Sequence, residues 1–341
     1  MVETHRVADD ERRAVEPTGD GPALAVVVPV YDDPDGVRRT VQSLAASEYD
    51  PLAVHVVYTP ADGETAGVLD DLNQEIPSLS VHRERDHETP GAARNVGIDR
   101  ADADVVCFVD ADMTVEDGYF STIARVFDDS SVEYLGLPVE MRDDDLDLTA
   151  AGFYDARVRF ANRAFLEERG FCPTCSLAVR ETVFADGLRF DPTLTAGEDV
   201  IFGHQVAAEG YEMGFCPDAT ATHPVRNSVR AVAEKGAKSG RGFRQMELRY
   251  EGGPDRPYAL TASAWTPESP SWLARACRNW SGLSLPRKTV VWGFASFEHL
   301  CRTAGYLRAV AAADAGPDSR PAETERGPNR NSPEGERSGN D

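Results

Sequence analysis

The sequence has 341 residues, 41% of them hydrophobic, with 58 Asp and Glu against 35 Lys and Arg. That length and apolar content allow one large domain or two ordinary ones around a sizeable core, and exclude global disorder. A net charge of -23 excludes the broad phosphate-neutralising face of a non-specific nucleic-acid binder, so no nucleic-acid partner is expected.

Lys235, Lys238 and Lys288 are the lysines; every other basic residue is Arg. An acidic, lysine-poor surface stays hydrated in molar salt, where a Debye length of about 3 Å leaves its charges little mutual repulsion. The composition therefore points to a salt-adapted cytoplasm. Charge is also uneven along the chain. Residues 1–224 hold 17 basic and 45 acidic side chains, whereas residues 225–312 hold 14 basic and 6 acidic, a net of +8. Such a basic stretch either docks on the acidic part or meets phosphate or an anionic membrane surface.

The six cysteines are too scattered for a disulfide framework, and the Cys172/Cys175 pair lacks a second pair or a His at zinc spacing, so buried thiols are expected. Met1 to Pro22 has no apolar core of a secretory signal. The nearest candidate for a membrane span, Thr289 to Phe297, meets Glu298, His299 and Arg302 well short of the roughly 20 residues needed.

In chain order, Ala23 to Val30 is a Val-rich run suited to a strand buried on both faces of a parallel sheet. Asp35 to Ala46 has Val37, Val41 and Leu44 at helical spacing. Leu52 to Tyr58 reads as a strand, Ala66 to Glu75 as a helix, and Leu79 to His82 as a strand. Thr89 caps and Pro90 opens a helix through Ala101. Asp104 to Val109 is the next buried strand. This alternation predicts βαβ units in a mostly parallel sheet.

Glu116 to Phe127 follows as an amphipathic helix, then Tyr134 to Val139 as a strand and Leu146 to Glu168 as one long helix or a pair. Thr174 to Val179 is a strand, Glu198 to Glu209 a helix, and Ala219 to Thr222 strand-like. Arg226 to Tyr250, Trp272 to Cys277 and Val290 to Ala312 are helical. The division expected is a disordered segment at 1–22, a catalytic domain at 23–224, a basic helical region at 225–312 and a disordered tail at 313–341.

Ligands of such sheets sit beyond the carboxyl ends of the strands. There the chain offers Tyr31 to Asp33, Thr59 to Glu64, and Asp110 with Asp112. Two carboxylates at i and i+2 after a hydrophobic strand suit a hard divalent cation that holds phosphate oxygens, Mn²⁺ or Mg²⁺. Arg94 and Asn95, on a Gly- and Ala-rich helix, offer donors to an anion or to the carboxylate loop. Gly197, Glu198 and Asp199 open a helix where one acid can serve the helix dipole and the other face a cleft. His223 is a further metal or pyrophosphate candidate.

With these pieces in order, the chain resembles the inverting glycosyltransferase family 2, whose catalytic domain has the GT-A fold. The resemblance is carried by Val26 to Tyr31, Gly91 to Gly97, Phe108 to Asp112, Ser176 to Glu181, Phe190-Asp191, Gly197 to Asp199 and His223. It covers about Ala23 to Arg226, and the acidic composition suggests a haloarchaeal member.

The resemblance implies an α/β GT-A fold with a helical C-terminal extension. It implies that Pro29, Val30, Tyr31 and Asp33 line the nucleotide pocket, with Thr59 or Asp62 toward the base. Asp110 would lie near the ribose, Asp112 and His223 at the metal, and Arg94 by the diphosphate, with Asn95 and Glu198 supporting. Asp199 would be the general base. The family's paired acids after the second strand are replaced here by Thr59 to Glu64, which leaves uracil or guanine open as the base. A UDP-sugar is favoured over a GDP-sugar.

The implied activity is transfer of a sugar to a lipid-linked or cell-surface glycan, in protein N-glycosylation. The acceptor carrier would be a polyprenyl or dolichyl phosphate at the inner face of the cell membrane. Arg226, Arg230, Lys235, Lys238, Arg241 and Arg244 would contact acceptor or membrane, beside Trp265, Trp272, Trp280 and Trp292. Two rival readings are a sugar-phosphate nucleotidyltransferase, for which the first strand lacks a Gly-rich phosphate loop, and a non-catalytic scaffold of the same fold.

Overall fold

The computed structural model describes residues 21–59, 63–142, 147–158, 160–250, 264–266, 268–277 and 279–314. Of the segments expected to be disordered, 1–22 and 313–341, residues 1–20 and 315–341 lie outside them, as does Asp62, while residues 313 and 314 end the last helix.

The Val-rich runs form the centre of a seven-stranded sheet. β1 (Leu24–Tyr31) pairs in parallel with β2 (Leu52–Thr59) on one side and β4 (Val105–Val109) on the other, and β2 pairs with β3 (Leu79–Arg83). Between them run α1 (Pro34–Ala45), α2 (Gly63–Glu75) and α3 (Pro90–Arg100). Asp33 caps α1 by accepting from the Gly36 amide, and Thr89 caps α3 by accepting from the Ala92 amide. Gly97 lets α3 sit directly on β1, where a methyl group would run into Val27.

After β4 come the two-residue β5 (Thr114–Val115) and α4 (Tyr119–Asp129). The single strand expected over Tyr134 to Val139 is instead β6 (Tyr134–Gly136) and β7 (Val139–Arg142). Pro138 donates no ladder hydrogen bond and separates them into different sheets. The helix expected from Leu146 resolves into α5 (Ala150–Val158) and α6 (Asn162–Arg169).

β8 (Ser176–Arg180) runs antiparallel between β4 and β6, and α7 (Glu181–Ala185) follows it. α8 (Glu198–Glu209) has the expected bounds, and β9 (Met213–Phe215) closes the edge. The strand order is β3-β2-β1-β4-β8-β6-β9, with four parallel and two antiparallel pairings.

A second sheet has the order β5-β10-β7, with β10 (Ala221–Pro224) in its centre. One core lies on the α1, α2 and α4 side, around Val26, Val28, Leu44, Leu69 and Phe120. The other, around Val27, Phe108, Ile98, Phe190 and Phe202, packs α3, α7 and α8.

The basic region forms α9 (Val229–Arg249), α10 (Pro270–Ala276), a 3₁₀ turn at Trp280–Gly282 and α11 (Leu285–Asp314). It has its own apolar contacts, with Val232, Leu273, Val291 and Ala295 packed on Ala151 and Tyr154 of α5. α9 and α11 touch through small residues. A methyl at Gly240 would strike the Arg302 carbonyl, and one at Gly236 would stand 2.7 Å from the Glu298 carbonyl oxygen. Among the described residues, no helix is long and apolar enough to cross a membrane.

Candidate active site

The carboxyl ends of β1, β2 and β4 bring Tyr31 to Asp33, Thr59 and Asp110 to Asp112 to one edge of the sheet. The turn bearing Asp110 and Asp112 is held from below by a buried residue that the sequence did not mark. The Thr40 hydroxyl of α1 lies 2.8 Å from the Ala111 carbonyl and 2.6 Å from that of Met113. Tyr31 projects its ring into solvent, 60% exposed, while Pro29 and Val30 belong to the strand and Asp33 spends one oxygen on the α1 cap. Thr59 is buried at the end of β2. Its neighbour Tyr58 accepts from the amide of Glu84, a buried acid whose own carboxylate accepts from the amides of Asp86 and His87.

Arg94 ties the site together. It is 3% exposed and donates to Asp110 Oδ1 and to Glu198 Oε1, each at 2.9 Å. One guanidinium thus fixes the carboxylate turn after β4 against the first turn of α8, using the planar fork that lysine lacks. The expected donors of Asn95 go elsewhere. Its amide donates to the Phe190 carbonyl and accepts from the Phe190 amide, so Asn95 clamps the segment leading to α8 rather than the carboxylate turn.

Glu198 is therefore committed to Arg94, and its neighbour Asp199 is left at the opening. Asp199 is half-buried and accepts from the Val200 amide. Burial, then the charge of Glu198, push its carboxyl up to about 6, against the opposing pull of Lys235 and Arg94. A carboxylate so placed is ionised near neutrality and still basic enough to take a proton.

β10 explains how His223 reaches the carboxylates. It pairs Thr222 with Thr114 on one side and His223 with Met141 on the other. His223 Nδ1 is 2.7 Å from the Pro224 carbonyl, so that nitrogen carries the proton, and Nε2 faces Asp112 Oδ2 at 3.5 Å. Burial holds His223 below its ordinary range despite Asp112, and it raises Asp112 despite His223 and Arg226. The Phe160 ring covers the imidazole at 5.1 Å.

The donor set, one carboxylate and one neutral imidazole nitrogen, fits a divalent ion that completes its shell on phosphate oxygens. Among the described residues no group of three His, Cys, Asp or Glu could hold a metal ion without such help. Cys172 and Cys175 are buried and unbridged, as expected of core thiols.

The six basic residues expected on an acceptor or membrane face do not share one. Gln245 accepts from the Thr195 amide and hydroxyl, Gly242 rests on Ala196, Met246 covers Gly197, and Tyr250 donates to Asp191. α9 is thus one wall of the site. Lys235, half-buried, sits seven residues before Gly242 on the same helical face and acts on Asp199. The charge of Arg226 acts on Asp112, and its amide donates to Asp155. Arg244 pairs with Glu247 at 3.6 Å. Arg230, Lys238 and Arg241 remain exposed, with Arg230 paired to Glu234.

A mostly parallel sheet with an acidic turn at its central strand end, facing an acid on a helix N-terminus, is the arrangement of a GT-A fold. Comparison with solved structures agrees on the fold. The mannosyltransferase PcManGT of Pyrobaculum calidifontis, in complex with GDP-Man and Mn²⁺, superposes with a TM-score of 0.52 at 16% identity, covering 87% of this chain and 76% of that one. TarS 1–349 of S. aureus in complex with UDP-GlcNAc gives 0.50 at 15% identity, covering 87% and 93%.

Residues 22–246 match the family model "Glycosyltransferase like family 2", and the chain belongs to that family. Glycosyltransferase AglE of Haloferax volcanii is 23% identical over 263 residues, 75% of this chain and 86% of that protein. The pre-mycofactocin glycosyltransferase of Mycobacterium tuberculosis is 26% identical over 254 residues, 70% of this chain; the match spans half of the mycobacterial protein. The protein is a glycosyltransferase.

Proposed function

We propose that the protein is an inverting glycosyltransferase in which Asp199 is the base. The observation that carries this reading is the Arg94 bridge, which occupies Glu198 and Asp110 and leaves Asp199, half-buried beside them, with a raised proton affinity. Asp199 accepts the proton of an acceptor hydroxyl as that oxygen attacks the anomeric carbon from the side opposite the diphosphate, so the configuration inverts. The donor is a nucleotide diphospho-sugar, with UDP favoured and GDP admitted. Support comes from neighbours whose structures hold GDP-Man or UDP-GlcNAc.

Tyr31, Asp33 and Thr59 border the nucleotide, and Asp110 the ribose. Asp112 and His223 would hold Mn²⁺ or Mg²⁺, which when bound neutralises charge on the departing diphosphate. The acceptor is a polyprenyl- or dolichyl-phosphate-linked glycan, or a cell-surface glycan, in protein N-glycosylation. The exposed cations Arg230, Lys238 and Arg241 beside the site support an anionic acceptor.

The test is Asp199→Asn, assayed for transfer from UDP- and GDP-sugars with Mn²⁺ in molar potassium chloride. Turnover is expected to fall by about 10²–10⁴, the range for a positioned base, with donor binding retained by thermal shift. Turnover near wild type refutes the assignment.

A further inference from the structure

Buried polar side chains ordinarily find hydrogen-bond partners, so two neighbours with unspent capacity point to a ligand. Thr59 ends β2 and Glu84 follows the last residue of β3. They are 8% and 6% exposed. Among the described residues the Thr59 hydroxyl has no hydrogen-bond partner, and neither has Glu84 Oε2.

Strand register puts the two together. Tyr31 of β1 pairs with Thr59, Tyr58 pairs with Arg83, and the Glu84 amide donates to the Tyr58 carbonyl at 3.0 Å. Tyr31, Thr59 and Glu84 therefore form one row across three strand ends, on one face of the sheet. It is the face that α3 covers, because Tyr31 stands four residues beyond Val27, which packs on that helix. Asp110 is reached from the same face by Arg94 of α3.

The Glu84 carboxylate is fixed in place. Its Oε1 accepts from the amides of Asp86 and His87, at 2.7 and 2.9 Å, in the loop beyond β3. That anchors it past the carboxyl end of the sheet, where ligands of such sheets bind, with Oε2 to spare.

A hydroxyl donates or accepts, whereas a carboxylate only accepts, so Glu84 sets what the pair can read. Its complement is an N–H with a carbonyl beside it. Uracil carries that edge at N3 and O4, and guanine at N1 and O6. Cytosine and adenine set a bare ring nitrogen there, acceptor against acceptor.

We propose that Glu84, with Thr59, reads the base of the nucleotide donor: Oε2 accepts the ring N–H and the Thr59 hydroxyl donates to the adjoining carbonyl. This rests on the donor site proposed above and adds its base specificity, through an acid on the third strand. β2 and β3 lie two and three strand spacings from β4, about 10 and 14 Å. The base thus sits at one end of a nucleoside diphosphate whose other end meets Asp112 and His223.

The test is isothermal titration of UDP, GDP, CDP and ADP with Mn²⁺ in molar potassium chloride, on wild type, Glu84→Gln and Thr59→Val. Wild type is expected to bind UDP or GDP about tenfold or more tighter than CDP and ADP. The UDP and GDP arms identify which base carries the edge. In Glu84→Gln the side-chain oxygen stays on the Asp86 and His87 amides, because an NH₂ group cannot accept. That NH₂ takes the place of Oε2 and faces the ring N–H donor to donor. The preferred nucleotide therefore weakens about tenfold, while CDP gains, since its ring nitrogen now meets a donor. Thr59→Val keeps the shape without the hydroxyl, and the preferred nucleotide weakens there too.

Wild-type affinity for CDP or ADP equal to that for UDP and GDP overturns the proposal while the donor site stands. So does a Glu84→Gln protein that keeps the wild-type order of affinities. A wild type that binds none of the four overturns the donor site and this proposal together. Unchanged far-ultraviolet circular dichroism verifies that each variant folds.

Discussion

Replacing Arg94 by Met removes a nearly isosteric stem's charge from a position 3% exposed, where two charge-assisted hydrogen bonds of 2.9 Å converge. The two ends differ. The Glu198 side chain is 10% exposed and Asp110 36%, so water repairs the loss at Asp110 far better than at Glu198. Leaving one partner of a buried pair behind costs about 3–5 kcal/mol. The solvated Asp110 end places the expected loss toward the lower value, about 3 kcal/mol.

The assay is urea unfolding in molar potassium chloride, with the midpoint read at constant slope. A double-mutant cycle with Glu198→Gln isolates the pair. Because the neutral amide at position 198 leaves no ion behind, Arg94→Met with Glu198→Gln should be less destabilised than the sum of the single changes, by about 1–3 kcal/mol. Arg94→Lys should restore little, since one ammonium does not fork to both acids. A loss below about 1 kcal/mol for Arg94→Met, the worth of an exposed pair, or strict additivity in the cycle, refutes the bridge as the organiser of the site.

Three further predictions rest on α9 and Asp199. The kcat/KM profile should fall on its acid side with an apparent pKa of about 6, because the base is protonated below that value; Lys235→Gln should move this limb to higher pH, and an unmoved limb refutes the Lys235 contact. The same raised value means that ionised Asp199 opposes folding. Stability is lost as pH climbs from the ordinary carboxylate range through about 6, so Asp199→Asn should melt higher than wild type above that pH and alike well below it. Gly240→Val should force its side chain on the Arg302 carbonyl, costing about 1–3 kcal/mol in thermal unfolding and lowering turnover although it touches no substrate; wild-type melting and turnover would refute the close packing.

Much of this was legible because it is local. Continuous valine runs announce strands buried on both faces, Thr89-Pro90 announces a capped helix, and α8 begins where Gly197 takes φ +89. The carboxylates at the end of β4 follow from strand position alone. What was hidden depends on distant packing. A threonine inside an amphipathic helix, Thr40, gives no sign that its hydroxyl holds the acidic turn. The meeting of His223 with Asp112 depends on β10 pairing with a two-residue strand too short to leave a pattern. The cations of α9 read as one basic face, yet the helix turns Lys235 with Gly242 and Met246 toward the catalytic loop and exposes Arg230, Lys238 and Arg241. Cationic composition carries no such direction.

The glycines of α9 also bear on how the chain can be divided. The family match ends at residue 246, inside this helix, while the partner that fixes its far side lies between Glu298 and Tyr306. With Gly236 and Gly240 against α11 on one side and Gly242 against Ala196 on the other, α9 comes within backbone contact of both. Close-packed interiors transmit strain. α9 therefore works as a rigid spacer, and a shift of α11 reaches the loop that aims Asp199 with little left to absorb it. A fragment cut at the family boundary would keep every residue of the cleft and lose the part that holds the cleft's geometry.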